Sequence, residues 1–203
     1  MLFRSNVKKG TIIHNGSEDC TGLIIVEEGQ LRAYTLSEDG KEITLYRMFQ
    51  RDACLFAASC IMNNIQFEVI IEAREDSKVL TIPTSVYQHL IHTSLPVANF
   101  TNDLMASRFS DVMWVMEQIL NKSVDVRLAA LLVEEMEITG ENMLKMTHEE
   151  IAHHLGTARE VITRMLKYFQ KEQLVSLSRG SIEIIDEDCL YELAKDKIGR
   201  AHV

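Results

Sequence analysis

Two signals for the start of a helix follow each other closely in the last third of the sequence. Residues 147–150 read Thr-His-Glu-Glu, the S/T-x-x-E capping box in which a hydroxyl and a carboxylate satisfy the unpaired amides of a helix N-terminus. Residues 157–160 read Thr-Ala-Arg-Glu and repeat the box, while Gly156 between them supplies a left-handed residue that ends the first helix. Two short helices joined by a glycine-containing turn predict a helix-turn-helix.

The second helix of this motif has one apolar and one polar face. The apolar stripe is predicted to point inward and consists of Val161, Ile162, Met165, Leu166 and Phe169. The exposed face repeats at i, i+3, i+4 and i+7 and is formed by Glu160, Thr163, Arg164 and Lys167. Arg159 lies at the N-terminal tip, the end that enters the major groove of DNA in this motif.

Arginine and glutamate on such a tip can read the edges of a G·C pair, because arginine matches guanine O6 and N7 and glutamate accepts from cytosine N4. The alternative is a solvated helix face held by an ion pair between Glu160 and Arg164. The two-helix arrangement favours base reading by Arg159 and Glu160 at this tip.

The segment after the second helix predicts a β-hairpin, or wing. Residues 174–177 and 181–185 are short apolar runs, and Ser-Arg-Gly between them forms a basic turn. Arg179 in this turn and Lys167 are therefore expected to bind phosphate. A final helix is predicted over residues 186–197.

Residues 141–180 hold six Lys or Arg and five Glu, whereas the whole chain has a net charge of −9, so this segment is the one best suited to a polyanion.

The N-terminal part alternates short apolar runs with glycines. The runs lie at residues 11–13, 23–26, 31–36, 43–46, 69–71 and 79–82. Runs of this length and spacing predict an all-β sandwich or barrel. Asp39-Gly40 suits a hairpin turn, and Pro83 ends the β region before a short predicted helix over residues 84–92. Residues 1–95 are therefore predicted to form a small barrel, the effector or sensor domain.

One long helix is predicted over residues 96–121. Its apolar residues recur at spacings of four and three, the seam of a two-stranded coiled coil, and are Met105, Phe109, Val112, Met116 and Ile119. The alternative is that this stripe packs on the chain's own barrel. Further apolar residues lie on neighbouring faces, so the helix can pack on both its own barrel and a partner helix. This arrangement favours a homodimer. The domain boundaries then follow as 96–122 for the dimerisation helix and 123–203 for the last domain, which opens with a helix over residues 124–136.

Residues 146–152 and 156–166 closely resemble the DNA-binding motif of the Crp/Fnr superfamily, including its R-E-x-x-x-R core. The resemblance is strong over residues 124–186. It is looser in the N-terminal half, where the glycines fall like the turns of the family's double-stranded β-helix. It implies an α+β fold with an N-terminal double-stranded β-helix barrel (a cupin-like jelly roll), a long dimerisation helix and a C-terminal winged helix-turn-helix.

The resemblance also implies roles for single residues. In the family, the residues that match Arg159, Glu160 and Arg164 read the G·C-containing core of each palindromic half-site. Thr147, His148 and Thr163 fall where the family contacts phosphate. The implied function is a transcription regulator that binds double-stranded DNA as a homodimer under a small-molecule or redox signal, with RNA polymerase as a further partner.

Two sensor types of the family are not expected here. Members that bind cyclic nucleotides carry a Gly-Glu pair and an Arg-Ser or Arg-Thr pair, and residues 51–57 and 64–68 contain neither. A phosphate buried there without an arginine would be unpaired. The iron–sulfur branch needs four cysteines, mostly near the N-terminus, where only Cys20 lies. Cofactor and effector stay unknown. Cys54 and Cys60 are candidate redox or effector residues, with small buried hydrophobes as the alternative.

Other classes of protein are disfavoured by the sequence. No apolar run approaches the ~20 residues that span a bilayer, and the first residues lack a signal-peptide core, so a cytoplasmic location without a membrane partner is expected. The cysteines form no C-x-x-C pair and the histidines no H-x-H cluster, so no metal site is expected. The competing hypothesis is a small-molecule-binding, cupin-like barrel or enzyme without DNA binding; the sequence favours the regulator and no enzyme activity.

Overall fold

The computed structural model describes residues 2–16, 21–38, 40–55 and 68–195. The chain forms two compact units. The N-terminal unit comprises Met1–Gly40 and Thr44–Val115, and the C-terminal unit comprises Lys41–Ile43 and Met116–Val203. The first unit contains eight described strands followed by helices and the second is mainly helical, so the α+β fold class is confirmed.

The described strands of the N-terminal unit form two antiparallel four-stranded sheets, ordered β1-β8-β3-β6 and β2-β7-β4-β5. The strands are β1 (Phe3–Val7), β2 (Ile12–Asn15), β3 (Leu23–Glu28), β4 (Leu31–Leu36), β5 (Glu42–Met48), β6 (Ala53–Cys54), β7 (Ile70–Ala73) and β8 (Ser77–Ile82). The prediction of a jelly-roll-like N-terminal domain is confirmed. The described strands form two sheets that do not close into a barrel.

The apolar runs of the sequence supply the core of this unit. Its fully buried residues include Ile24, Leu31, Met48, Ile71 and Val79. Gly29, in the turn between β3 and β4, has φ 90°, and a Cβ there would lie 2.8 Å from the Cα of Ser77. Only glycine fits this close approach of the turn to the start of β8 without strain, which explains one of the glycines that separate the runs.

Two helices follow the sheets, α1 (Thr84–Thr93) and α2 (Leu95–Asn121). The predicted bounds of both helices agree with the structure within one or two residues. On α2, Leu104 and Met105 pack against a small cluster of the N-terminal unit that contains Leu23 and Tyr87. The helix leaves several large apolar side chains exposed, namely Phe100, Phe109, Met113, Trp114, Met116, Ile119 and Leu120.

The C-terminal unit is a helical bundle with a small sheet. Its helices are α3 (Val124–Thr139), α4 (His148–Leu155), α5 (Arg159–Lys171) and α6 (Glu187–Lys195). Its strands β9 (Met143–Leu144), β10 (Val175–Ser178) and β11 (Ser181–Ile184) form an antiparallel sheet ordered β10-β11-β9. The core is apolar and includes Leu128, Leu132, Ile151, Ile162, Leu166 and Phe169.

Two boundaries in this unit differ from the sequence prediction. Helix α3 continues beyond the predicted end at Met136 to Thr139, where Gly140 takes the left-handed conformation with φ 68°. The last helix begins at Glu187 and not at Asp186, because Asp186 accepts the backbone N–H of Cys189 at 2.9 Å through Oδ1 and so caps the helix from outside. The predicted end of this helix at residue 197 lies outside the described residues.

Candidate nucleic-acid interface

The first helix of the predicted helix-turn-helix begins with the capping box that the sequence indicates. Thr147 Oγ1 accepts from the backbone N of Glu150 at 3.1 Å, and the backbone N of Thr147 donates to Glu150 Oε2 at 2.8 Å. Gly156 ends α4 in the left-handed conformation with φ 62°. Helix α4 is therefore held at both ends by local contacts, which sets the position of His148 and Glu149 in its first turn.

The second capping box, predicted over residues 157–160, is wrong. The backbone N of Thr157 donates to the carbonyl O of Ala152 at 3.0 Å, so Thr157 belongs to the turn that closes α4. Ala158 then becomes the N-cap of α5, which has no side-chain cap hydrogen bond. Glu160 consequently lies at the second helical position, one short of the position that a capping box needs, and its carboxylate stays on the outer surface.

Helix α5 presents the predicted polar face to solvent. Arg159, Glu160, Arg164 and Lys167 are exposed, and Thr163 is half-buried. On the opposite side Ile162, Leu166 and Phe169 are fully buried in the core of the unit. The periodicity of the sequence thus gives the orientation of this helix correctly.

Arg159 forms an ion pair between the two helices of the motif. Its Nη1 lies 3.6 Å from Glu149 Oε2, and both side chains are more than half exposed. The sequence suggested an ion pair between Glu160 and Arg164 on the same helix. It gave no sign of the partner Glu149, because Glu149 belongs to the other helix of the motif. An exposed pair of this kind contributes little to stability, so Arg159 can leave it at low cost.

His148 and Thr163 connect α4 to α5 through a short chain of hydrogen bonds. Thr163 Oγ1 donates to the carbonyl O of Arg159 at 3.0 Å, which uses its single proton. His148 Nδ1, 2.9 Å from Thr163 Oγ1, must then be the donor of that contact. In the neutral ring Nε2 therefore has no proton and acts as an acceptor; it can donate to a phosphate only when the ring is protonated.

The pKa of His148 is lowered from its ordinary value. Partial burial is the main cause, and the positive charges of Arg159 and Lys167 add to it. The ring therefore favours its neutral form in the protein alone. A DNA phosphate near the same three groups would act in the opposite direction, since a nearby negative charge favours the imidazolium form.

The predicted wing is the hairpin of β10 and β11. Ser178 pairs with Ser181 at its end, and their hydroxyls are hydrogen-bonded to each other. Gly180 at the tip has φ 79°, and the side chain of Arg179 next to it is exposed. Arg179 therefore lies on the outside of a short turn.

Arg127 supports the motif from α3, a contact that the sequence analysis missed. Its Nη1 donates to the carbonyl O of Leu155 at 2.8 Å, which satisfies a carbonyl at the end of α4. Burial lowers the pKa of Arg127. The only sequence signal for this contact is an arginine within the apolar stretch at residues 126–133 of α3.

The remaining predicted residues lie outside the helix-turn-helix. On α2, Phe109, Met116 and Ile119 are exposed, whereas Met105 and Val112 are half-buried. Cys54 is fully buried in β6, and Cys60 lies outside the described residues. The described part of the chain contains no cluster of three or more potential metal ligands. None of its helices combines the length and the hydropathy needed to cross a membrane.

Two family descriptions match the chain in the same order as its two units. Residues 4–94 match the cyclic nucleotide-binding domain, and residues 126–193 match the Crp-like helix-turn-helix domain. Among solved structures, a chain from Eubacterium rectale ATCC 33656 assigned to the Crp/Fnr family of transcriptional regulators is 59% identical, with a TM-score of 0.94, covering 96% of this chain and 90% of that one. The chain therefore belongs to the Crp/Fnr family.

Similarity to curated proteins extends over nearly the whole chain. The fumarate and nitrate reduction regulatory protein of Yersinia pestis is 26% identical over 198 residues, which is 93% of this chain and 77% of that protein. A Crp/Fnr-family regulator from Thermus thermophilus shares the fold at a TM-score of 0.78 and 21% identity, over 96% of this chain and 99% of that one. The protein is a DNA-binding transcription regulator that responds to a signal, and not an enzyme.

Proposed function

We propose that this regulator binds a palindromic operator as a homodimer and reads each half-site with the N-terminal tip of α5. The observation that carries the proposal is the exposure of Arg159, Glu160 and Arg164 on one end of a helix whose opposite face is buried in the core. In a helix-turn-helix this end enters the major groove, where arginine and glutamate match the edges of a G·C pair.

Phosphate contacts would surround this tip. Thr147, His148 and Thr163 lie at the junction of α4 and α5, Lys167 lies one turn further along α5, and Arg179 lies on the wing. The hydroxyls of Thr147 and Thr163 are engaged in hydrogen bonds within the motif. Their contribution is therefore to fix the backbone and the ring of His148, while Lys167 and Arg179 supply positive charge to the DNA backbone.

Dimerisation through α2 is supported by the apolar surface that the chain leaves exposed. Phe109 is 67% and Met116 is 46% exposed, and Ile119 continues the same seam. A long helix with aromatic and methionine side chains in solvent is typical of a surface that a second helix covers. We propose residues 1–95 as the sensor domain, 96–122 as the dimerisation helix and 123–203 as the DNA-binding domain. We also propose RNA polymerase as a further partner and the cytoplasm as the location.

The signal is expected to act on the N-terminal unit. The curated relative from Yersinia pestis is named for the regulation of fumarate and nitrate reduction. Cys54 and Cys60 remain candidates for a redox or effector role. Because Cys54 is fully buried, an oxidant could reach it only after local opening of the unit.

Selection from random DNA duplexes tests the proposal directly. We expect the purified protein to enrich a palindrome whose half-sites lie about 34 Å apart, one turn of the double helix. A variant with Arg159→Ala and Arg164→Ala should lose the enrichment, whereas Lys195→Ala, an exposed lysine on α6, should keep it. Enrichment of no motif by the wild type at low salt, or the same motif with the double variant, would reject the proposal.

A further inference from the structure

Tyr168 is a large aromatic side chain on the outer surface of α5. It is 51% exposed, and within the described part of the chain its hydroxyl has no hydrogen-bond partner. The centre of its ring lies 6.2 Å from that of Phe169, its buried neighbour in the sequence, at an interplanar angle of 54°. The hydroxyl of Tyr168 can therefore bind a group outside the protein.

The other four tyrosines are placed differently, and all five lie among the residues that the structure describes. Three of the four are buried in the N-terminal unit. The fourth, Tyr191, is half-buried and donates its hydroxyl to Glu137 Oε1 at 2.8 Å. The fold therefore uses these four for its core or for an internal hydrogen bond, whereas Tyr168 is left exposed. An exposed aromatic side chain of this kind is typical of a binding surface.

Basic side chains surround Tyr168 on the same face of α5. Arg164, Lys167, Tyr168 and Lys171 follow the spacing i, i+3, i+4 and i+7, so they are neighbours on the helix surface, and all four are exposed. A tyrosine among three cations suits a polyanion. Lysine and arginine attract the phosphates, and the tyrosine hydroxyl can donate a hydrogen bond to one of them.

The position of Tyr168 along α5 decides which part of the DNA it can reach. At a rise of about 1.5 Å per residue, Arg164 lies about 8 Å from Arg159 at the tip, and Tyr168 lies about 14 Å from it. The major groove is about 12 Å wide and about 8.5 Å deep. With the tip in the groove, Arg164 is still within reach of base edges, whereas Tyr168 lies at the edge of the groove or beyond. The group that it meets there is the sugar–phosphate backbone.

We propose that Tyr168 binds the DNA backbone and donates its phenol hydroxyl to a phosphate oxygen at the edge of the major groove in each half-site. The inference rests on the proposed function, since that function places the tip of α5 in the groove. Unlike Lys167 and Arg179, Tyr168 is a neutral donor, so it adds a hydrogen bond without an ion pair. Such a contact fixes the inclination of α5 on the duplex and carries no sequence information of its own.

Tyr168→Phe tests this hydrogen bond, because it removes the hydroxyl and keeps the ring. We expect the affinity to fall about tenfold, for the operator and for a scrambled duplex alike, as for the loss of one hydrogen bond to a charged group. The salt slope should stay unchanged since no cation is lost, whereas Lys167→Gln should reduce it. Equal affinities of Tyr168→Phe and the wild type would overturn the proposal.

Tyr191→Phe is the matched control. It also removes one phenol hydroxyl from the C-terminal unit, but that hydroxyl is already bonded to Glu137, so DNA affinity should equal that of the wild type. Equal losses of affinity for Tyr191→Phe and Tyr168→Phe would mean that any missing tyrosine hydroxyl weakens this unit, and the contact with phosphate would be rejected.

Replacement of single operator phosphates by neutral methylphosphonates locates the contact. If Tyr168 binds one phosphate in each half-site, the wild type should lose affinity when that phosphate is replaced, and Tyr168→Phe should lose much less at the same position. If the ratio of the two affinities is the same on every modified duplex, Tyr168 contacts none of these phosphates and the proposal fails, even when Tyr168→Phe binds more weakly.

Thermal unfolding without DNA separates a binding role from a structural one. Tyr168→Phe should unfold at the Tm of the wild type, because the lost hydroxyl has no partner within the described part of the protein. A lowered Tm together with a constant affinity ratio on the modified duplexes would make Tyr168 a structural residue, against the proposal. A wild type that binds neither duplex rejects the proposed function, whereas a wild type that binds both, with Tyr168→Phe equal to it, rejects the Tyr168 contact alone.

Discussion

Nδ1 of His148 lies 2.9 Å from the hydroxyl of Thr163 and joins the first helix of the DNA-binding motif to the second. The same hydroxyl donates to the carbonyl O of Arg159 at the tip of α5. The ring is therefore held in one tautomer beside the residues proposed to read bases. Whether it carries a positive charge depends on pH and on a nearby phosphate, which makes this contact a point of linkage between protonation and DNA binding.

We predict that DNA affinity rises as the pH falls from about 8 towards about 6. In the protein alone the pKa of His148 lies below its ordinary value, so the ring is neutral at neutral pH. A phosphate raises the pKa in the complex, so binding takes up a proton. The gain is up to about tenfold in affinity for each unit by which DNA raises the pKa, and it is complete once the pH is below the pKa of the free protein.

His148→Asn tests this linkage, because its amide can still donate to Thr163 but cannot gain a proton. Its affinity should depend less on pH than that of the wild type in fluorescence anisotropy titrations. His92→Gln, an exposed histidine on α1, is the control and should keep the wild-type profile. An unchanged pH profile for His148→Asn would show that the proton is taken up elsewhere.

A second prediction concerns Glu149, which holds Arg159 in an ion pair in the protein alone. Glu149→Gln should tighten binding to the operator by up to about 1 kcal/mol, because Arg159 no longer has to leave a partner and one negative charge near the phosphates is removed. Glu172→Gln removes the same charge at the other end of α5 and reports the general charge effect alone. Equal gains for the two variants would mean that the ion pair does not restrain Arg159.

The sequence could predict those parts of the site that depend on local signals. The box at Thr147 and the left-handed Gly156 fix α4 through contacts within a few residues, and the apolar stripe fixes which side of α5 faces the core. The prediction of a capping box at Thr157 was wrong for a physical reason. Its backbone amide is used by the turn that closes α4, and this competition cannot be seen in a four-residue pattern.

Contacts between distant residues left no such signal. Arg108 contacts Ala53, 55 positions away, and Arg127 contacts Leu155, 28 positions away, and neither arginine belongs to a recognisable motif. Strand β1 was also missed, because its exposed and mostly polar residues show no apolar run; pairing with β8, from Phe3 with Thr81 to Val7 with Ser77, is what makes it a strand. Tertiary structure decides these features.

A third prediction tests dimerisation through α2. Phe109→Glu combined with Met116→Glu should give monomers in analytical ultracentrifugation, because two charges per helix would be buried in the seam. Both side chains are exposed in the single chain, at 67% and 46%, so the change should not disturb the fold of the monomer. Ser107→Glu combined with Ser110→Glu places the same charges at other exposed positions of α2 and should leave a dimer. A Phe109/Met116 variant that still sediments as a dimer would move the interface away from this seam.

The last prediction separates base reading from phosphate binding. Arg164→Ala should cost about 1–3 kcal/mol on the operator and flatten discrimination at one position in each half-site, because the guanidinium meets a base edge. Glu160→Ala should relax specificity more than affinity, since loss of its carboxylate also reduces repulsion from the phosphates. Lys167→Ala and Arg179→Ala should weaken binding to all sequences alike and reduce the salt slope by about one unit.

Titrations against the operator and its single-base variants at several salt concentrations distinguish these two classes of contact. Arg164 and Arg179 are both exposed arginines and differ in position, because Arg164 lies on α5 and Arg179 on the wing. A base contact changes the ranking of the DNA sequences, whereas a phosphate contact changes the salt dependence and keeps the ranking. If Arg164→Ala lowered the affinity for every sequence equally and reduced the salt slope as Arg179→Ala does, Arg164 would be a phosphate ligand, and Arg159 with Glu160 would be left as the base-reading residues.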